Sequence, residues 1–230
     1  MNVLLEDNHL LAINKPAALP TMGAPAGTPT LLDKAKAYIA QKHNKPGNVY
    51  LGVVSRLDAP VTGVVLMART SKAAARLSAA FRDRRVGKSY LAAVEGTPAE
   101  PAATLVHHLR KDERHRKVHV TADSATDAQR AELSYEVLGD GPHGALLLVR
   151  PVTGRKHQIR VQLAKIGCPI VGDRKYGARV AMHAGIALHA WRLEVEHPVR
   201  RGPVVISCPP PASWSAAGGR AVAQARLRFE

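Results

Sequence analysis

Two apolar runs joined by a short polar loop constrain the fold of this chain more than any other feature of its sequence. The runs extend from Val49 to Val54 and from Gly63 to Ala68, and Asp58 lies in the loop between them. Short apolar runs bounded by turn residues predict buried strands. A carboxylate on a loop that two buried strands hold in place is a common way to build an active site, so Asp58 is the leading candidate for a catalytic residue.

The other periodic segments predict a fold in which strands outnumber helices. Further strands are predicted from Val3 to Leu5, from Leu10 to Ile13, from Ser89 to Val94, from Ala131 to Leu138, from Ala145 to Val152, from Ala187 to Glu196 and from Val204 to Cys208. Helices are predicted from Leu31 to Lys42, from Ser71 to Arg85 and from Lys156 to Ile166. Helices placed between clusters of strands favour the α+β class, with a mixed, mostly antiparallel β-sheet and flanking helices.

Local signals mark the ends of two helices and the position of one strand. Thr30 and Asp33 resemble a capping box at the start of the first helix, and Gly167 ends the third. The strand that contains Tyr90 has apolar side chains on both faces from Tyr90 onward, so it is predicted to be a central strand covered on both faces. Tyr90 is therefore expected to be at least partly buried.

The charge balance favours a polyanionic partner. The chain has 33 Lys and Arg residues against 18 Asp and Glu residues, which gives a net charge of +15. Neutralised phosphates release counterions and add affinity without reading sequence, so nucleic acid is the leading candidate partner. The alternative is a soluble protein with an alkaline surface. The basic group Arg82, Arg84, Arg85 and Lys88 is either a set of phosphate contacts or a solvated helix end.

The length and the cysteines predict a single cytoplasmic domain. The 230 residues provide enough chain for one domain with a proper core, and no linker divides them. Cys168 and Cys208 are far apart and form no metal motif, which indicates a reducing compartment and thiols that are buried or idle. No apolar run is long enough to cross a bilayer, and no signal peptide is recognised at the start. A monomer is expected, because the chain has no heptad seam.

A segment rich in histidine and arginine extends from Leu105 to Val120. His115 and His119 have the spacing of metal ligands, but cysteine is absent nearby and the intervening cations would repel a metal ion. No metal is therefore expected. The segment is predicted to be either a solvated loop or a pair of strands that faces RNA.

A second block of interest runs from Thr153 to Ala164. On a helix, Lys156 and Arg160 lie one turn apart and Arg160 is close to Leu163, so a cation and an apolar side chain can face one pocket. Taken singly, such residues usually have structural roles, since an isolated arginine on a helix is most often a surface charge. An isolated aspartate after a strand is likewise most often a turn or a helix cap.

Three blocks that occur in one order resemble the RluA-like family of RNA pseudouridine synthases. They are Ser55-Arg56-Leu57-Asp58, Lys88-Ser89-Tyr90 and the stretch from Arg155 to Tyr176, and the likeness also includes Asn14-Lys15-Pro16 and Leu188-His189-Ala190. The resemblance extends from about Val3 to Pro209 and implies a cofactor-free isomerase. Such an enzyme detaches a uracil base from its ribose in RNA, turns the base and reattaches it through carbon.

The resemblance also implies roles for individual residues. Asp58 is similar to the catalytic aspartate of the family, Tyr90 to the tyrosine packed against the target base, and Arg160 to the arginine paired with the aspartate. Arg56 resembles the residue that takes the place of the flipped nucleotide. The candidate substrate-binding residues are Arg56, Lys88, Arg155, Leu163 and Leu188.

The chemistry fits these residue types independently of the family name. Breaking a C–N glycosidic bond and forming a C–C bond requires a nucleophile or a charge stabiliser near the sugar C1′ or the uracil C6. An aspartate is ionised at neutral pH without any activating base. An arginine partner would keep it charged in a dry pocket, and a base inside folded RNA has to be extruded and gripped by stacking.

The chain departs from the family pattern at a few positions. Ser55 stands where histidine is usual, Pro60 to Thr62 replace a segment that commonly contains a Thr-Ser pair, and Lys156 and Gln162 are also atypical. The S4 RNA-binding module frequent in the family is expected to be missing, so that RNA affinity comes from the basic catalytic domain itself.

Two rival functions are left open by the sequence. One is a catalytically silent RNA-binding protein of the same fold. The other is a nucleosidase or glycosidase that acts through Asp58, although no second carboxylate accompanies it in the motif. For the isomerase, the expected substrate is ribosomal or transfer RNA, and the sequence does not identify the modified uridine.

Overall fold

The computed structural model describes residues 1–214 and residue 222, which pack as two compact units. Unit 1 consists of Met1–Lys88 and Ala190–Pro209. Unit 2 consists of Ser89–His189 and the described residues from Pro210 onward.

The elements follow one another in the order that the sequence predicts. The strands are β1 (Val3–Glu6), β2 (Leu10–Lys15), β3 (Gly52–Val53), β4 (Thr62–Ala68), β5 (Gly87–Ala93), β6 (Ala102–Asp112), β7 (Lys117–Thr121), β8 (Gln129–Gly141), β9 (Gly144–Pro151), β10 (Leu188–Glu196) and β11 (Pro203–Ser207). The helices are α1 (Leu31–Lys42), α2 (Ser71–Arg82) and α3 (Gln158–Lys165), and Arg174–Tyr176 form a short 3₁₀ turn. The α+β prediction, with a mixed, mostly antiparallel sheet and flanking helices, is confirmed.

Unit 1 is built on a sheet in the order β1-β2-β4-β10, in which β3 pairs with β4 and β11 pairs with β10. Side chains alternate between the two faces of a strand. On β2, Leu10 and Ala12 pack in the same cluster as residues of α2, while Leu11 and Ile13 pack in the same cluster as residues of α1. Strands β2 and β4 are therefore covered on both faces, which fixes the loops at their ends.

The capping box predicted for α1 is confirmed. The Thr30 hydroxyl accepts a hydrogen bond from the Asp33 backbone N–H at 3.2 Å, and the Thr30 backbone N–H donates to the Asp33 carboxylate at 3.0 Å. These reciprocal bonds satisfy two backbone donors that a helix start leaves without partners. The predicted bounds of this helix agree with the structure at both ends.

Unit 2 contains the strands β5-β9-β8-β6-β7 in antiparallel pairs, with α3 packed on one face. Leu109, Val118 and Ala131 from three of these strands share a buried cluster with Val161 of α3. Tyr90 lies in the middle of β5 opposite Val149, and it is half-buried as predicted.

Several predicted element bounds differ from the structure, and three of the differences have a local cause. The strand predicted from Val49 to Val54 is reduced to β3, because Val49 and Leu51 bury their side chains in the α1 cluster without strand pairing. Helix α2 ends at Arg82 because Arg84 adopts a left-handed backbone with φ of 59°. Helix α3 begins two residues late because His157 is also left-handed, with φ of 53°.

Two other predictions are settled by the fold. The segment from Leu105 to Val120 forms parts of two paired strands, β6 and β7, rather than a loop. Cys168 and Cys208 are buried free thiols.

Within residues 1–214 and 222, no helix is long and apolar enough to span a membrane.

Candidate active site

Asp58 lies on a tight turn that leads directly into β4. Its backbone carbonyl accepts a hydrogen bond from the Val61 N–H at 3.0 Å, and the residue is half-buried. Before the turn, the Ser55 hydroxyl accepts from the Leu66 N–H at 2.8 Å, so a side chain continues the pairing that β3 begins. This contact gives a structural role to Ser55, one of the positions at which the chain departs from the family pattern.

The residues on both sides of Asp58 are held by the N-terminal part of the chain. The Thr21 hydroxyl donates to the Leu57 carbonyl at 2.9 Å and accepts from the Leu57 N–H at 3.1 Å. The Lys15 ammonium donates to the Ala59 carbonyl at 3.1 Å. Because the peptide groups on either side of Asp58 are fixed, the direction in which its carboxylate leaves the backbone is restricted.

Lys15 is a buried cation whose charge interacts with that of Asp58. Its side chain is 0% exposed, and its ammonium also donates to the carbonyls of Pro16 at 2.9 Å and Leu19 at 2.8 Å. Burial lowers the pKa of Lys15 to about 8, and the negative charge of Asp58 opposes that shift. In the sequence, Lys15 is part of the family resemblance but has no predicted role; the available signal was a lysine at the end of an apolar strand.

Gly63 is the second residue of β4, the strand that follows the turn, and its backbone has φ of 115°. A side chain at this position would collide with the backbone of Ala190 on β10. The positive φ and the close approach both require glycine. In the β2–β4 register, Gly63 lies opposite Lys15, so these two residues fix the same end of the sheet.

In unit 2, Arg160 is buried on α3 and forms a bidentate ion pair. Its Nε donates to Asp173 Oδ2 at 2.7 Å, and its Nη2 donates to Asp173 Oδ1 at 2.8 Å. The two side chains are 6% and 2% exposed. The general expectation that an isolated helix arginine lies at the surface is therefore wrong for this residue.

Tyr176 holds the guanidinium from another direction. The Arg160 Cζ lies 5.1 Å from the centre of the Tyr176 ring, within the range of a cation–π contact. The Tyr176 hydroxyl accepts from the Val118 N–H at 3.0 Å and lies 2.8 Å from His157 Nδ1. Asp173 and Tyr176 lie inside the block from Arg155 to Tyr176 that resembles the family, but neither had a predicted role.

The remaining predicted site residues differ in burial. Burial lowers the pKa of Lys88, and the charge of Arg84 lowers it further. The Arg155 Nε donates to the Arg130 carbonyl at 3.2 Å, which places Arg155 beside β8. Leu163 and Leu188 are buried, and Arg56 is exposed. Unit 1 contains Arg56, Asp58 and Lys88, and unit 2 contains Tyr90, Arg155, Arg160, Leu163 and Leu188.

The two histidines with ligand-like spacing both face Asp112. His115 Nδ1 lies 2.8 Å from the Asp112 carboxylate, and His119 Nε2 lies 3.6 Å from it. Over the part of the chain that the structure describes, no group of three or more His, Cys, Asp or Glu side chains has the arrangement of a metal site.

Comparisons with known proteins identify the family. Residues 9–165 match the family model described as RNA pseudouridylate synthase. The ribosomal large subunit pseudouridine synthase C of Rickettsia prowazekii is 34% identical over 182 residues, which cover 78% of this chain and 57% of that protein. The ribosomal large subunit pseudouridine synthase D of Xylella fastidiosa is 36% identical over 230 residues, covering 92% and 66% respectively.

A solved structure agrees with these matches. Human RNA pseudouridylate synthase domain containing 4 superposes with a TM-score of 0.79 at 26% identity, covering 100% of this chain and 94% of that one. The chain spans 57% to 66% of the length of the two bacterial relatives. The family match covers more than half of the chain and includes Asp58, Tyr90 and Arg160. This chain therefore belongs to the RNA pseudouridylate synthase family, a family of isomerases.

Proposed function

We propose that this chain isomerises uridine to pseudouridine in structured RNA, with Asp58 as the nucleophile. The observation that carries the proposal is the fixed turn of Asp58, whose flanking residues are held by Thr21 and Lys15. The names of the two bacterial relatives favour ribosomal RNA over transfer RNA as the substrate.

The reaction needs no oxidant or reductant. The Asp58 carboxylate attacks either the sugar C1′ or the uracil C6, and the bond between C1′ and N1 breaks with its electron pair on the base. The base turns, C5 bonds to C1′, and the carboxylate is released. The proton from C5 is lost and N1 gains one, so product and substrate have the same composition. No cofactor takes part in this scheme.

Tyr90 has two proposed tasks, which are stacking on the extruded base and carrying the C5 proton. Stacking recovers part of the few kcal/mol that extrusion costs, and it requires only the ring. Carrying a proton requires the hydroxyl. Tyr90→Phe separates these tasks, because unchanged isomerisation would eliminate the proton role and leave stacking intact.

Arg160 is proposed to pair with the Asp58 carboxylate while Asp173 and Tyr176 hold its guanidinium. A guanidinium has five N–H donors in a rigid plane, and the two hydrogen bonds to Asp173 fix the orientation of that plane. In this role Asp173 and Tyr176 are positioning residues.

The other predicted residues complete the proposed substrate site. Arg56 occupies the place of the flipped nucleotide, Leu163 and Leu188 form the apolar wall, and Lys88 and Arg155 contact phosphates. The two units are proposed to act together as one catalytic domain, as a monomer in the cytoplasm. The excess of 33 basic over 18 acidic residues supports binding of RNA by this domain itself.

The test combines deletion with a matched pair of variants. Pseudouridines are mapped across cellular RNA with and without the gene, and the deletion strain is complemented with wild type, Asp58→Asn or Asp83→Asn. Asp83 is an exposed acid of unit 1 and serves as the control. A site lost on deletion is expected to return with wild type and Asp83→Asn but not with Asp58→Asn.

Other results would contradict the proposal in recognisable ways. Restoration of the site by Asp58→Asn would exclude this residue as the nucleophile. Release of free uracil by the purified protein would indicate a nucleosidase. RNA binding without isomerisation in wild type and variant alike would indicate a catalytically silent protein.

A further inference from the structure

His157 has an unusual conformation at the start of α3. Its backbone is left-handed, with φ of 53° and ψ of 19°, and the residue stands at the N-cap position of the helix. Helices favour Ser, Thr, Asp or Asn at this position, and a left-handed backbone is uncommon outside glycine. Neither capping nor backbone preference therefore accounts for a histidine here. Unfavourable backbone conformations of this kind cluster at functional sites, so the contacts of the side chain are informative.

The backbone around His157 is fixed on both sides. The His157 carbonyl accepts a hydrogen bond from the Val161 N–H at 3.0 Å, which begins the helix. In the preceding loop, the Gln158 Oε1 accepts from the Arg155 N–H at 3.0 Å and from the Thr153 hydroxyl at 2.7 Å. Because the loop and the first helical turn are both held, the direction in which the imidazole leaves the backbone is restricted.

The imidazole lies against the hydroxyl and the ring of Tyr176. His157 Nδ1 is 2.8 Å from the Tyr176 hydroxyl oxygen, and the two rings meet edge to face with their centres 5.7 Å apart. The same oxygen accepts from the Val118 N–H at 3.0 Å. A phenol has one proton, so the hydroxyl can accept from Val118 while it donates to Nδ1. In this arrangement the imidazole carries its proton on Nε2.

The Tyr176 ring in turn contacts the guanidinium of Arg160. Tyr176 is 8% exposed and shares a buried cluster with Val118 and Val161. Arg160 Cζ lies 5.1 Å from the centre of its ring. Asp173 holds the guanidinium through two hydrogen bonds, and the ring holds it through a cation–π contact. The position of the ring therefore affects the position of the guanidinium.

We propose that His157 is a positioning residue, which fixes the Arg160 guanidinium through the hydroxyl and the ring of Tyr176. The inference rests on the proposed function, in which this guanidinium pairs with the Asp58 carboxylate. His157 acts on the reaction only through Tyr176 and Arg160, so its loss affects the chemical step and not the binding of RNA. A small displacement of a catalytic group is enough to slow a reaction strongly.

The test compares variants that allow the left-handed backbone but differ in the hydrogen-bond acceptor. His157→Gly allows this backbone and removes the acceptor. His157→Asn tolerates the same backbone and supplies an amide oxygen bonded to Cγ, as Nδ1 is. Asp127→Gly is the control, because Asp127 is an exposed residue of unit 2 whose backbone is also left-handed, with φ of 63°. Circular dichroism melting checks that each variant remains folded.

The isomerisation rate is measured at saturating in vitro transcribed large-subunit ribosomal RNA, together with the Kd for that RNA. His157→Gly should lower the rate about tenfold, while its Kd stays within about twofold of wild type. His157→Asn should recover most of the rate, and Asp127→Gly should match wild type. In a Tyr176→Phe background, His157→Gly should have almost no further effect, because the hydroxyl through which His157 acts is then absent.

Nuclear magnetic resonance tests the contact without any turnover. In wild type, the nitrogen signals of His157 should be those of an unprotonated Nδ1 and a protonated Nε2. The Nε–H signal of Arg160 should shift in His157→Gly and stay unchanged in Asp127→Gly. If these signals behave as expected while wild type isomerises no uridine, the positioning contact stands and the proposed function fails.

Three results would overturn the proposal. The first is an unchanged rate in His157→Gly when wild type isomerises uridine. The second is a loss of rate that His157→Asn does not recover and that adds in full to the loss in Tyr176→Phe, since this would indicate a purely structural role. The third is a His157 that carries its proton on Nδ1 in wild type, because the hydrogen bond to Tyr176 would then run in the opposite direction.

Discussion

Each unit contains a buried cation that takes part in the proposed site. Lys15 holds the turn of Asp58, Arg160 is a proposed catalytic residue, and the two cations have different partners. Lys15 in unit 1 is 0% exposed, and its ammonium donates to three backbone carbonyls. The Arg160 side chain in unit 2 is 6% exposed, and it pairs with the Asp173 carboxylate and the ring of Tyr176.

The two sites show that a buried cation can have either neutral partners, which leave its charge uncompensated, or an acidic partner, which balances it. Carbonyls are neutral, so they satisfy the hydrogen bonds of Lys15 without cancelling its charge, and burial lowers its pKa to about 8. Asp173 carries a full opposite charge, which offsets the cost of burying Arg160. The charge of Lys15 therefore acts on Asp58, whereas much of the charge of Arg160 is balanced by Asp173.

The largest expected effect comes from removing the acid that balances Arg160. Asp173→Asn leaves the buried guanidinium without a full countercharge, so the free energy of unfolding should fall by about 3 to 5 kcal/mol. Urea denaturation measures this loss. The double variant Asp173→Asn/Arg160→Met should recover part of it, because both charges are then absent. A loss below about 1 kcal/mol would contradict the idea that Asp173 balances this charge.

The second prediction concerns Lys15, whose partners are neutral. Lys15→Met leaves the carbonyls of Pro16, Leu19 and Ala59 without this donor and should lower the free energy of unfolding by about 3 kcal/mol, roughly 1 kcal/mol for each lost bond. Isomerisation should slow by about tenfold or more, because Ala59 beside Asp58 is released. The exposed Lys34→Met is the control. Full activity in Lys15→Met would show that the Asp58 turn does not need this contact.

The third prediction uses the lowered pKa of Lys15. Its pKa is about 8 in the folded protein and about 10.4 in an unfolded chain, so at intermediate pH only the unfolded chain keeps the proton. The free energy of unfolding of wild type should therefore rise by about 3 kcal/mol relative to Lys15→Met as the pH increases through this window. Denaturation at a series of pH values measures the difference. A constant difference would contradict burial of a charged Lys15.

The sequence predicted the elements that depend on local signals. Helix α1 is specified by its capping box and its apolar spacing, which lie within the helix and its first turn. The position of Asp58 between β3 and β4 follows from two apolar runs on either side of a turn. The missed start of α3 and the missed end of α2 involve His157 and Arg84, two residues whose left-handed backbone is uncommon outside glycine.

The partners of the site residues were not predictable in the same way. Lys15 contacts Ala59 across 44 positions of the chain, and Arg160 contacts Asp173 across 13. No local pattern shows which buried charge meets which carbonyl or carboxylate. The family resemblance located the blocks that contain these residues, and the structure adds the contacts that hold Asp58 and Arg160 in place.

The glycine at position 63 limits how the Asp58 turn could be transplanted. The backbone of Gly63 in β4 lies close to the backbone of Ala190 on β10. A graft that carries only the turn would therefore lack the β10 backbone against which Gly63 packs. A designer who wanted this carboxylate in another scaffold would have to move both strands together, and would retain more freedom to vary the exposed position 56 than position 63.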